Sequence, residues 1–159
     1  MKIFVSHSIK DEEYLKNLQN MIKDYDLDLL IAEHEFETEG TITDKIKLLI
    51  NSCDLGLVLL TQNGINSGFV REEIGYLEAS SKKTIMVIEK GLEKSYGGFK
   101  YGADFIVIDP NRPTKGFEKV QKILLSEYKK LHQSRATQKS LFFLFTLLIA
   151  ALVFGSSED

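Results

Sequence analysis

Between Ser67 and Tyr76 the chain reads Ser-Gly-Phe-Val-Arg-Glu-Glu-Ile-Gly-Tyr, directly after the apolar run Leu55-Gly-Leu-Val-Leu-Leu60. The run has the composition of a strand buried on both faces, and the segment after it begins a helix. A carboxylate just inside that helix, Glu73, therefore sits at the carboxyl rim of a parallel sheet, where open α/β folds keep their ligand sites. Glu72 precedes it, and helical periodicity separates the two: Ile74 and Leu77 lie on the core-facing stripe, which leaves Glu73 at its edge and turns Glu72 away. A plain helix-start glutamate favoured by the macrodipole is the bland alternative for Glu73. At the end of the first apolar run, Ser6, His7 and Ser8 offer hydroxyls, a ring and backbone amides at the start of another helix; a serine there is a ligand contact or a simple cap.

Other chemistries are excluded by what is missing. Gly97-Gly98 has neither the lysine nor the strand-to-helix setting of a phosphate-binding loop. A phospho-acceptor receiver needs an acidic pair after the first strand and an aspartate after the third, where this chain has Ser6-His7-Ser8 and Thr61. His7, His34 and His132 are too far apart in sequence for a zinc motif, so no metal is expected. No Gly-x-Ser-x-Gly elbow marks a serine hydrolase.

The elements that must position these groups alternate along the chain. Lys2 to Val5, Leu27 to Ala32, Leu55 to Leu60, Thr84 to Ile88 and Phe105 to Ile108 read as strands. Between them, Tyr14, Leu15, Leu18, Met21 and Ile22, then Ile42, Ile46, Leu49 and Ile50, then residues from about Phe69 to Ser80, recur at helical spacing. Val120, Ile123, Leu124 and Tyr128 mark a last amphipathic helix, and Ser8-Ile-Lys-Asp11 resembles a capping box with Asp in place of Glu. Continuous apolar strands with helices between them predict an α/β fold, a flavodoxin-like doubly wound five-stranded parallel sheet, plus a C-terminal hydrophobic helix. The expected organisation is a domain over 1–130, a polar linker over 131–139 and a transmembrane helix over 140–156.

The formal net charge of -3, with Lys and Arg spread through both halves, argues against nucleic acid as a partner. Cys53 is the single cysteine, which excludes an intramolecular disulfide and fits a reducing compartment; beside a strand it reads as a small buried hydrophobe. Met1 to His7 is too short an apolar run for a secretory signal. Leu141 to Phe154 carries no charge and a single hydroxyl, with Lys129, Lys130, Arg135 and Lys139 before it and Glu158 and Asp159 after it. That pattern predicts a single-pass anchor in the cell membrane with the N-terminal domain cytoplasmic, although the run falls short of a hydrocarbon core. A terminal helix packed on protein is the alternative.

Three segments together resemble the Toll/interleukin-1 receptor (TIR) domains. Ile3-Phe-Val-Ser-His-Ser8 resembles their first box, Glu33 to Gly40 falls where they carry the loop after the second strand, and Ser67-Gly-Phe-Val-Arg-Glu-Glu73-Ile resembles their box of serine, aromatic, small residue, two variable positions and glutamate. Phe69-Val70 stands where Trp-Cys is frequent and Glu39-Gly40 where Pro-Gly is frequent; the resemblance spans Met1 to Tyr128. It implies the activity of many prokaryotic members, cleavage of NAD+ between nicotinamide and ribose to give ADP-ribose or a cyclic ADP-ribose signal, used in defence against phage. Glu73 is then the catalytic carboxylate. Ser6, His7 and Ser8 would hold ribose or pyrophosphate, Glu33 a ribose hydroxyl, and Phe36 and Phe69 supply rings near nicotinamide. NAD+ is substrate and no cofactor is implied, and head-to-tail self-association is expected. A non-catalytic TIR scaffold and a nucleoside deoxyribosyltransferase-like enzyme are the competing expectations.

Overall fold

The computed structural model describes residues 1–32, 43–93 and 104–154, the side chains of 147–154 excepted. In chain order the elements are β1 (Lys2–Ser6), α1 (Glu12–Ile22), β2 (Asp28–Ile31), α2 (Asp44–Ser52), β3 (Leu55–Leu60), α3 (Gly68–Ala79), β4 (Thr84–Glu89), β5 (Asp104–Ile108) and α4 (Thr114–Phe154), with short 3-10 turns at Ile9–Asp11 and Gly64–Asn66. Every expected strand forms, and the sheet order is β2-β1-β3-β4-β5 with all pairings parallel. This is the doubly wound arrangement expected.

The sheet is buried on both faces because its central strand, β3, is apolar at every position and its neighbours are apolar through their middles. All six residues of β3 are buried. Phe4, Val58, Leu60, Met86 and Ile88 pack with Ile46 and Ile50 of α2 and Val70, Ile74 and Leu77 of α3. Strand alternation turns Ile3, Val5, Leu57, Leu59, Ile85 and Val87 to the other face. There Leu18 and Ile22 of α1 are buried, as are Phe117 and Val120 of α4, and the rings of Tyr14 and Phe117 lie 6.0 Å apart. Right-handed crossovers place α1 and α3 on opposite faces, because β1 hands the chain outward to β2 while β3 hands it the other way to β4.

Gly116 sets a helix-to-sheet distance, and Gly75 does not. A Cβ on Gly116 would lie 2.2 Å from Ile108 Cγ2 and 3.3 Å from Ile108 Cα, so α4 begins in contact with β5. Gly75 on α3 has open space around it. Gly116→Ala should therefore lower unfolding free energy by roughly 1–3 kcal/mol through overpacking. Gly75→Ala should raise it by about 0.5–1 kcal/mol through helix propensity. Urea denaturation of both variants checks the pair, and equal midpoints would remove the packing explanation.

The chain forms two units, Met1–Ile123 and Leu124–Asp159. In the second, residues 131–139, expected as a polar linker, are helical. Polarity alone does not break a helix: no Gly or Pro occurs from Phe117 to Phe154, and Lys, Gln, Arg, Ala and Leu are good helix formers. The hydroxyls of Thr137 and Ser140 donate to the carbonyls of Gln133 and Ala136, each at 3.0 Å, so they add no competing turn. The transmembrane expectation for 140–156 is not met. Among the described residues no helix is long and apolar enough to cross a membrane. At ~1.5 Å per residue the apolar segment Leu141 to Phe154 covers only about 21 Å of a hydrocarbon core of ~30 Å.

Candidate active site

β1 and β3 are neighbours whose following helices leave on opposite faces, which opens a crevice between their carboxyl ends. A cleft of ≈ 660 Å³ lies there. One wall is the turn after β1, with His7, Ser8 and Lys10; the other is the turn after β3, with Gln62, Asn63 and Asn66. The first residues of α3, including Phe69 and Arg71, complete the lining.

Local sequence builds each wall. Ser8 caps the Ile9–Asp11 turn by accepting from the Lys10 amide at 3.4 Å. His7 is 7% exposed, and its Nδ1 lies 2.9 Å from the Ser8 carbonyl oxygen, an acceptor only, so that nitrogen carries a proton and the ring is oriented. Ser67 caps α3 by accepting from the Val70 amide at 3.3 Å. The expected capping box at Ser8-Asp11 forms only in its serine half. Asp11 does not turn back to Ser8: its carboxylate accepts from Thr61 Oγ1 at 2.6 Å and from Asn63 Nδ2 at 2.8 Å, across the switch point. Thr61 Oγ1 in turn accepts from the amides of Asn63 at 3.1 Å and Gly64 at 3.0 Å. Asp11 is 2% exposed, so this network ties the two walls from within.

Glu73 is 1% exposed, on the α3 face that also carries Val70, Ile74 and Leu77, whereas Glu72 is exposed. Ser67 as N-cap puts Glu73 in the second turn, so the alternative of a helix-start glutamate favoured by the macrodipole does not account for it. A buried carboxylate is an expensive choice at such a position, because even a paired buried charge is commonly no more stabilising than an apolar side chain of the same volume. Ser6 is fully buried on the same sheet face as Phe4, toward α2 and α3, and its Oγ has no hydrogen-bond partner among the described residues.

His7, Ser8 and Phe69 thus meet in the cleft, while Ser6 is buried behind it. Glu73 is not part of the cleft lining; it follows Phe69 by one helical turn. Glu33 and Phe36, with the loop that carries them, lie outside the described residues. Asp11, Thr61, Lys10, Asn63 and Arg71 went unnoticed in the sequence as site residues, although the switch-point rule points to the turns after β1 and β3. Cys53 is buried, and burial pushes its thiol up, which keeps it protonated and inert near neutral pH. Lys82 Nζ donates to the Asn51 and Cys53 carbonyls at 2.9 and 2.7 Å and so closes the end of α2.

Fold and cleft together define a doubly wound α/β domain with a switch-point crevice and a buried glutamate on the helix after its third strand. Residues 3–124 match the family model of the TIR domain, and the chain belongs to that family. No curated protein sequence matches it. Among solved structures it is similar to the CMP N-glycosidase BcmB of Clostridium botulinum, at 18% identity and a TM-score of 0.52, covering 76% of this chain and 98% of that one. At that identity the likeness is one of fold. It is also similar to the TIR domains of the activated Roq1 resistosome recognising the effector XopQ, at 14% identity and a TM-score of 0.48, covering 82% of this chain and 76% of that one. CapF bound to 3-isopropenyl-tropolone matches at 13% identity and a TM-score of 0.46, over 69% of this chain and 30% of that one.

Proposed function

We propose that this TIR domain cleaves the nicotinamide–ribose bond of NAD+, with Glu73 as the catalytic carboxylate. The observation that carries this reading is a carboxylate buried one helical turn beyond an aromatic residue, Phe69, that lines the switch-point cleft. Residues four apart share a helix face, so a flat ring seated against Phe69 brings the bond next to it toward Glu73. Nicotinamide leaves with the electron pair of the C–N bond and becomes neutral, while positive charge develops at the ribose carbon. Glu73 stabilises that oxocarbenium-like centre directly or through the ribose hydroxyls. Water then forms the new C–O bond and releases a proton to solvent, giving ADP-ribose; attack by another nucleophile of the same molecule gives a cyclic product. His7 and Ser8 hold the ribose or pyrophosphate at the cleft wall and Ser6 contributes its buried hydroxyl. Such a product would act as a signal, for example in antiviral defence, and a head-to-tail assembly of copies would complete the site. Incubating the full-length protein with NAD+ and resolving products by mass spectrometry tests the reading. Release of nicotinamide supports it; intact NAD+ with assembled, membrane-presented protein, together with capture of a signalling partner, favours a TIR scaffold.

A second reading, cleavage of the base from a mononucleotide, draws on the fold shared with a CMP N-glycosidase. It calls on the same carboxylate and the same bond type. CMP and a deoxynucleoside pair included in the assay distinguish it, and base exchange between deoxynucleosides marks the transferase alternative.

We further propose that the apolar end of α4 attaches the chain to the cell membrane, with the N-terminal domain on the cytoplasmic side. Leu141, Phe142, Phe143, Leu144 and Phe145 are each 60–71% exposed, so more than one full turn is apolar all round. Thr146 Oγ1 donates to the Phe142 and Phe143 carbonyls at 3.1 and 2.8 Å, which removes its donor from the surface. Lys139 and Arg135 precede this stretch and suit anionic headgroups. A run this short inserts to partial depth or thins the bilayer around it. The full chain should therefore float with anionic vesicles, and a Phe142→Glu/Phe143→Glu variant should remain in the soluble fraction; a wild-type chain that stays soluble ends this proposal.

A further inference from the structure

We infer that Lys10 and Arg71 form a phosphate-reading pair that makes the cleft selective for phosphorylated nucleosides over nucleosides. This rests on the N-glycosidase reading for its biological meaning, but its physical basis is separate. Lys10 from the turn after β1 and Arg71 from the start of α3 both line the cleft, and among the described residues no carboxylate does. Both are exposed, and neither makes an ion pair among the described residues. Of the acids next to the pair in sequence, Asp11 beside Lys10 is turned inward onto Thr61 and Asn63, and Glu72 beside Arg71 is exposed but does not line the cleft. The chain carries a net charge of -3, so two cations on a crevice that no carboxylate lines among the described residues run against its average.

The remaining lining chemistry suits the rest of a nucleotide. Phe69 supplies a ring face for a base, and Asn63, Asn66 and Gln62 supply amides for hydroxyl or base edges. An ammonium and a guanidinium lining the same cleft hold a phosphate by charge-assisted hydrogen bonds, the guanidinium in bidentate fashion. A phosphate anchored there fixes the direction in which the sugar enters, and a nucleoside lacks that anchor. The ligand class assigned is a 5′-phosphorylated nucleoside, including a dinucleotide joined through pyrophosphate.

The test compares binding of AMP, ADP-ribose and adenosine to the full-length protein by calorimetry, for wild type and for Lys10→Gln/Arg71→Gln. AMP and ADP-ribose should bind wild type at least about tenfold tighter than adenosine, with the advantage shrinking as salt rises. The double variant should lose the advantage and bind adenosine as wild type does. Its melting temperature should stay near that of wild type, because both side chains are at the surface. Equal affinity for AMP and adenosine in wild type, no binding of AMP or ADP-ribose at millimolar concentration, or an advantage that survives the double substitution overturns the assignment. NAD+ turnover in the same preparations separates the two levels. Lys10- and Arg71-dependent AMP binding without nicotinamide release leaves the pair standing and removes the NAD+ reading. Nicotinamide release with an unchanged KM in the double variant does the reverse.

Discussion

Glu73→Gln should reduce nicotinamide release from NAD+ by at least about 10²–10³-fold, the loss typical when one preorganised electrostatic group is removed from a reacting centre. Glutamine keeps the shape of the side chain and removes its charge, so packing against Val70, Ile74 and Leu77 is retained. At a position that is 1% exposed, a neutral amide also relieves the cost of burying an ion. The melting temperature should accordingly hold or rise. A glutamate kept only for a structural ion pair behaves otherwise, since removing one partner of a buried pair costs roughly 3–5 kcal/mol. Glu72→Gln is the internal control: that side chain is exposed, and turnover should be unchanged. Full nicotinamide release by the Glu73→Gln protein, or equal losses at Glu72 and Glu73, would sink the assignment.

Asp11→Ala should lower the free energy of unfolding by about 3 kcal/mol, because hydrogen bonds to a charged group contribute about 1.5–3 kcal/mol each and two are lost. The substitution leaves the Thr61 hydroxyl and the Asn63 amide without the carboxylate that joins them to the turn after β1. Catalysis should fall as well, by up to about 10²-fold, since the two walls of the cleft would no longer be held in register and small misplacements are costly. A double-mutant cycle of Asp11→Asn with Thr61→Val should give a coupling energy of about 1–3 kcal/mol. An Asp11→Ala protein with an unchanged denaturation midpoint would show that the tie contributes nothing and that the walls are held by the sheet alone.

Much of the fold was legible because its signals are local. Leu55 to Leu60 is apolar at every position and could only be a strand buried on both faces, which is what β3 is. The 3.6-residue period separated Glu73 from Glu72 correctly, one buried and the other exposed. Ser8 opens the expected capping box, and its hydroxyl does cap. What stayed hidden was a contact between distant parts of the chain. Asp11 was assigned to Ser8, three residues away, when its partner Thr61 is fifty residues along the chain. Residues 131–139, expected as a polar linker, are helical, because helix propensity and the absence of Gly and Pro decide their conformation.

By itself the sequence determined which segments are strands and helices, which side of α3 faces the core, and that the boxes of a TIR domain stand in order along them. Each of these depends on residues within a few positions of one another, where backbone period and side-chain polarity act directly. Only the tertiary structure decided that the turns after β1 and β3 meet, that Asp11 bridges them, and that Lys10 and Arg71 look into one cleft. Those contacts exist because β1 and β3 pair in the middle of the sheet with their crossovers on opposite faces. Strand order is a property of the whole packed chain, and no short stretch of residues carries it.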